Sequence, residues 1–210
     1  MARGDHAVLF GLLVFSLTAC AAEPDGEAAS RAPSPAAAFT RGELSARLPS
    51  DASHAIVLEN RRLGGAVAVR VLGARGPGAE RSGSVVYRSA LGEGLDLELE
   101  PTEGGVRDRL ELPHPPPEGD IRYWIELGPE IAGLRVSNGG VELLVASGAP
   151  ALRVGHAMVT DALGEDHEIA LDVEGCEADR SVALPWGRQP VPPGANACTL
   201  VARLPADLVY

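Results

Sequence analysis

Leu95, Leu97 and Leu99 alternate with Asp96, Glu98 and Glu100. Successive side chains on a strand point to opposite faces, so this pattern makes one apolar face and one charged face. On a helix the same charges would be spread around the circumference. The stretch therefore predicts a half-buried strand. Pro101-Thr102-Glu103-Gly104-Gly105 then reads as a hairpin loop. The return strand, 106–112, turns Leu110 and Leu112 inward and Arg107, Arg109 and Glu111 outward. The acidic face of one strand thus lies beside the arginine face of the next, with cross-strand pairs worth roughly a few tenths of a kcal/mol each. Such a charged run reads as a solvated sheet face rather than a ligand site.

The rest of the body follows the same period. Strands are expected at 54–60, at 66–72 with Val67, Val69 and Val71 on one face, and at 84–89 with Val85 beside Tyr87. Residues 121–127 place Ile121, Tyr123, Ile125 and Leu127 together, which leaves Trp124 on the opposite face. Shorter strands are expected at 134–137, 141–145, 151–154, 157–160, 168–173 and 199–204, with Asn138-Gly139 as a hairpin turn. Residues 73–83 read as a polar, glycine-rich loop. One exception to the β pattern is 40–48, where Thr40 and Glu43 have the spacing of a helix cap and Pro49 supplies a stop. Many short strands with frequent turns point to an all-β chain, an antiparallel β-sandwich. Pro113-His114-Pro115-Pro116-Pro117 interrupts the series. It makes 113–119 a candidate linker between a first β-lobe, 41–112, and a second, 120–210.

Ahead of this body the chain changes character. Arg3 is followed by an apolar run over 7–17, too short for the ~20 residues a spanning helix needs. The run ends in small residues and a cysteine, Leu17-Thr18-Ala19-Cys20. This stretch resembles the bacterial lipobox. The resemblance implies a signal peptide over 1–19, diacylglycerol on the Cys20 sulfur, cleavage before Cys20 and acylation of the new amino group. Ala21 and Ala22 follow with no Asp beside the cysteine, which implies the outer membrane. Residues 20–40 lack a hydrophobic period and contain Pro24, Pro33 and Pro35, so they read as a disordered tether. A flexible coil of about 20 residues spans roughly 25 Å.

Composition bounds the partners. The net charge is −11 and every basic residue is arginine. An acidic chain repels nucleic acid and anionic headgroups, so no nucleic-acid partner is expected. Aromatic residues make up only 4%, so the core must be built from aliphatic side chains. With Cys20 assigned to lipid, Cys176 and Cys198 remain, an even pair in an exported chain, which reads as one disulfide. A free pair or half of a metal site are the rival readings, and no other Cys or His stands near either cysteine at metal-ligand spacing.

Three ordered pieces carry a further resemblance: Ser84-Val85-Val86-Tyr87-Arg88, Gly94-Leu95-Asp96-Leu97-Glu98-Leu99, and Gly105-Val106-Arg107-Asp108-Arg109-Leu110-Glu111-Leu112. Asn138-Gly139-Gly140-Val141-Glu142-Leu143 and Ala157-Met158-Val159-Thr160-Asp161-Ala162 continue the series, with Ala157 where the pattern usually has proline. Over 84–210 the chain resembles the amino-terminal β-domain of bacterial RHS/wall-associated surface proteins, SBBP-repeat proteins and myxobacterial kelch-repeat lipoproteins. The resemblance implies a β-domain without catalytic residues. It also implies a shortened relative, or a piece of a longer repeat protein.

No nucleophile elbow, phosphate-binding loop, dinucleotide fingerprint or zinc-protease motif is present in the sequence. The nearest approach to a site is Asp161-Ala162-Leu163-Gly164-Glu165-Asp166-His167-Glu168, whose spacing does not match a calcium loop and which reads as a polar turn. His54, His114 and His156 lie on separate segments. No metal, cofactor or catalytic residue is expected. The reading is a non-enzymatic, lipid-anchored envelope protein with a structural or interaction domain. The alternative is an envelope module that binds a glycan through Trp124 or a cation through the acidic turn. A hydrolase would need a pocket in which a histidine meets a serine or carboxylate.

Overall fold

The computed structural model describes residues 35–137, 139–183 and 188–210, and the backbone alone of 8–11. Among these residues there are sixteen strands and no helix. They are β1 (Val8–Gly11), β2 (Ala37–Arg41), β3 (Leu44–Leu48), β4 (Ile56–Asn60), β5 (Ala66–Val71), β6 (Gly78–Arg81), β7 (Ser84–Tyr87) and β8 (Asp96–Pro101). Then follow β9 (Val106–Leu112), β10 (Ile121–Leu127), β11 (Ile131–Ser137), β12 (Gly140–Val145), β13 (Pro150–Val154), β14 (Ala157–Thr160), β15 (Asp166–Glu174) and β16 (Ala197–Arg203).

Hydrogen bonding links thirteen strands in the order β2-β3-β4-β5-β10-β16-β15-β14-β1-β9-β8-β7-β6, and β11-β12-β13 form a separate antiparallel sheet. So long a ribbon of twisted strands folds over on itself to bury its apolar face. The nine-residue β15 makes the corner. Its first four residues pair with β14 and its last five with β16. Two buried hydrogen bonds then clasp the layers. The Tyr123 hydroxyl on β10 donates to Asp108 on β9 at 2.5 Å, and the Tyr87 hydroxyl on β7 donates to the Pro49 carbonyl at 2.6 Å. An isolated bridge between Asp51 and Pro77 brings the far ends of the ribbon together. The result is an all-β, sandwich-like fold.

The alternation read from the sequence sorts the side chains as expected. Val67, Val69, Val71, Val85, Tyr87, Leu97, Leu99, Leu110 and Leu112 are buried, while Arg107, Arg109 and Glu111 face outward. Four expectations are corrected. The segment 40–48 is a hairpin of β2 and β3, not a helix. Leu44, Ala46 and Leu48 are buried at every second position, which a strand permits and a helix does not. Gly42 takes φ +59° in the turn, a value that glycine adopts without a side-chain clash. Strand β2 also begins at Ala37, inside the stretch that composition assigns to the tether. Finally, 113–119 does not divide two lobes. Strand β10 lies between β5 and β16, so strands from both sides of the proline run share one layer and one continuous core. The polar loop expected over 73–83 contains the short strand β6.

Candidate functional site

Cys20, expected to carry lipid, lies outside the described residues. The other two cysteines meet. Cys176 and Cys198 form a disulfide with their Cα atoms 5.5 Å apart, which closes the loop between β15 and β16. That loop is seated on β11. The Asp179 amide donates to the Leu134 carbonyl, and the Val136 amide donates to the Asp179 carbonyl. Gly133 lets the chains touch, since a Cβ there would stand 2.6 Å from Pro190 Cβ and 2.7 Å from the Val191 carbonyl oxygen.

Beneath the loop lies a feature that the sequence reading missed. Arg135, Glu142 and Arg153 are in register across β11, β12 and β13. Both arginines ion-pair with the Glu142 carboxylate, whose side chain is only 6% exposed. Arg135 Nε donates to it at 2.6 Å. The hairpin pattern of 134–145 implied that Arg135 and Glu142 could face each other. Asp179 of the distant loop bridges to Arg135 along the edge of β11, a contact that the local pattern does not encode.

The charged face of β8 and β9 is paired as the sequence predicts. Glu98 stands opposite Arg109 and Glu100 opposite Arg107, with ion-pair distances of 3.5 and 3.7 Å. Arg88 pairs with Asp96 beside them. Arg81, Arg88, Asp96, Glu98, Arg109 and Glu111 line a surface cleft of about 260 Å³. A second cleft of about 260 Å³ runs along 116–122 and is lined also by Leu72, Arg75 and Leu91. Neither cleft brings a histidine to a serine or a carboxylate.

The acidic turn is explained by its own hydrogen bonds. Asp161 Oδ1 accepts from the amides of Leu163 and Glu165 at 2.8 and 2.9 Å, and Oδ2 lies 3.3 Å from His167 Nε2. The Glu165 amide above all, then His167 and the Leu163 amide, hold the Asp161 carboxyl below the usual carboxylate range. Asp161, Glu165 and His167 place three ligand-type atoms within 4.8 Å of one another. Both oxygens of the buried member already fasten the β14–β15 turn.

Trp124 is on the outer face as expected, but the Arg70 guanidinium stands over its ring, 4.9 Å from the centroid. A sugar stacking on that ring face would have to displace this cation. His54 and His156 are exposed, and His156 Nδ1 lies 3.1 Å from Glu168 Oε1. His114 touches two carbonyls, those of Pro115 and Glu93, at 3.1 and 3.0 Å. Only an imidazolium can donate to both, and the Pro115 contact followed by that of Glu93 raises the His114 pKa. The three histidines do not converge.

Asp108 completes the survey. It is fully buried on a strand whose other inward positions are Val106, Leu110 and Leu112. Burial, then the Asp108 charge, push the Tyr123 hydroxyl far above its ordinary pKa, so it stays protonated and donates. Both residues occupy inward phases of their strands, but the alternation does not say that they meet. No family model, curated protein or solved structure matches the chain.

Proposed function

We propose that the protein is a lipid-anchored component of a bacterial cell envelope whose β-sandwich is a non-catalytic interaction module. The observation that carries this reading is the partition of three cysteines. Two are bonded to each other, as suits an oxidising compartment. The third ends an apolar run in Leu17-Thr18-Ala19-Cys20. A single acyl chain binds a bilayer only marginally, at ~0.8 kcal/mol per buried CH₂, whereas two or three hold firmly. The proline-containing segment after Cys20 would hold the sandwich off the bilayer. The ordered series from Ser84 to Leu112 keeps kinship with bacterial surface-protein β-domains within the same proposal.

Cys20→Ser should move the protein from the membrane to the soluble fraction. Mass spectrometry of the wild type should find an acylated amino terminus at Cys20. An unmodified terminus upstream of residue 20 would overturn the reading.

A further inference from the structure

Strand β1 lies wholly inside the apolar run that the lipobox marks for removal, yet its backbone is part of the sandwich. It fills one strand position between β9 and β14 and runs antiparallel to both. On one side Val8, Leu9, Phe10 and Gly11 are in register with Leu112, Glu111, Leu110 and Arg109. On the other, Leu9, Phe10 and Gly11 are in register with Thr160, Val159 and Met158. Positions 8 and 10 thus share the phase of the buried Leu112, Leu110 and Val159. Positions 9 and 11 share the phase of Glu111, Arg109 and the exposed Met158.

Strands β9 and β14 do not pair with each other. Both run antiparallel to β1, so they are parallel to one another across a gap of two strand spacings, roughly 9–10 Å. Each is tied down elsewhere, β9 through the Asp108–Tyr123 hydrogen bond and β14 through β15 at the corner. Cleavage before Cys20 would remove the strand between them. The new amino-terminal segment is a poor replacement. Pro24, Gly26, Pro33 and Pro35 interrupt it, and proline cannot donate to a central ladder.

On the reading that the leader is removed, we propose that processing opens an acceptor groove between β9 and β14 for an extended strand donated by a neighbouring envelope protein. The donor runs antiparallel to both walls, spans at least the four residues of β1 and is apolar at two alternate positions. Its main chain completes the ladder, and its alternate side chains meet Leu110, Leu112 and Val159. Its outward positions meet Arg109, Glu111 and Met158, which set selectivity. Until cleavage the protein's own leader plugs the groove, as an internal copy of the ligand.

The test uses processed protein extracted from membranes in detergent, followed by hydrogen exchange. The probes are a synthetic peptide of residues 7–12 and the same peptide carrying Val8→Asp and Phe10→Asp. Without peptide, the groove-facing amides of β9 and β14 should exchange at least 100-fold faster than those of β5 and β10. The first peptide should restore their protection and the second should not. Protection without any peptide would overturn the proposal, through closure of the gap in a monomer or its filling by a second copy in a dimer. A first peptide that leaves exchange unchanged would overturn it too. Intact mass separates the two levels. A chain starting at Met1 sinks the anchor along with the groove, whereas an acylated Cys20 terminus with no groove sinks the groove alone.

Discussion

The β8–β9 hairpin and the β11–β13 sheet are stitched by the same chemistry, arginine opposite carboxylate in register, under opposite conditions. On the hairpin, Arg109 and Glu98 have side chains 36% and 31% exposed, and Arg107 and Glu100 are more open still. In the small sheet, Arg135 and Glu142 are 11% and 6% exposed. Water already solvates the hairpin charges, so pairing them changes little. In the small sheet Arg135 and Glu142 have given up solvent and each depends on its partner, while Arg153 stays half exposed. Register decides which charges meet, and the cover decides what the meeting is worth.

Removing one partner at each place tests that contrast. Glu142→Ala should destabilise the protein by about 3–5 kcal/mol, because Arg135 is left in a covered site without its carboxylate. Glu98→Ala should cost no more than about 0.5 kcal/mol. Urea denaturation of both variants measures the difference, and equal losses would break the comparison. The disulfide comes next. Replacing Cys176 and Cys198 by serine releases a loop with a sequence separation of 22. That should cost roughly 3 kcal/mol in the chain-entropy account. It also sharpens the comparison, since loosening the loop lets water reach Glu142. In the serine background the Glu142→Ala penalty should shrink by about 1 kcal/mol or more, a coupling that a double-mutant cycle reads. A purely additive cycle would mean that the loop is not the cover that matters.

Much of this contrast was legible in the chain, and the rest was not for identifiable reasons. The strands at 106–112, 121–127 and 157–160 were readable because period two is a local property. That the acidic face of β8 lies beside the arginine face of β9 followed from it, and the register set which residues pair. Leu44, Ala46 and Leu48 alternate as clearly, but Thr40 and Glu43 imitate a helix cap, and the cap outweighed the alternation. Strand β6 hides in Gly78-Ala79-Glu80-Arg81, which has no apolar period because it sits at the end of the sheet order. The surroundings of the Arg135–Glu142 pair were unreadable in another sense. Asp179, Pro190 and Val191 lie against β11, long-range contacts with no signature in the residues they touch. Asp108 shows the opposite case, a polar residue in an inward phase that the pattern flags and only the fold explains.

The smallest effect concerns a charge that spans two loops. His114 bridges the Pro115 and Glu93 carbonyls from an exposed position, outside both regions compared above. Because both partners accept, the contact stabilises the imidazolium, and the folded pKa lies above the ordinary value of 6.5. The sign follows by linkage. Protons bind more tightly in the folded state, so the stabilisation is complete below the ordinary histidine pKa and fades as pH rises through the raised one. The turn around Glu93 and the proline run should therefore loosen from each other as pH rises through the raised His114 pKa. Proton NMR titration of the His114 ring should place its midpoint above 6.5. Amide protection near residues 89–95, taken relative to the intrinsic base-catalysed exchange rate, should fall over the same interval and keep no such step in His114→Ala. A midpoint at or below 6.5 would mean that the two carbonyls do not hold the ring in solution.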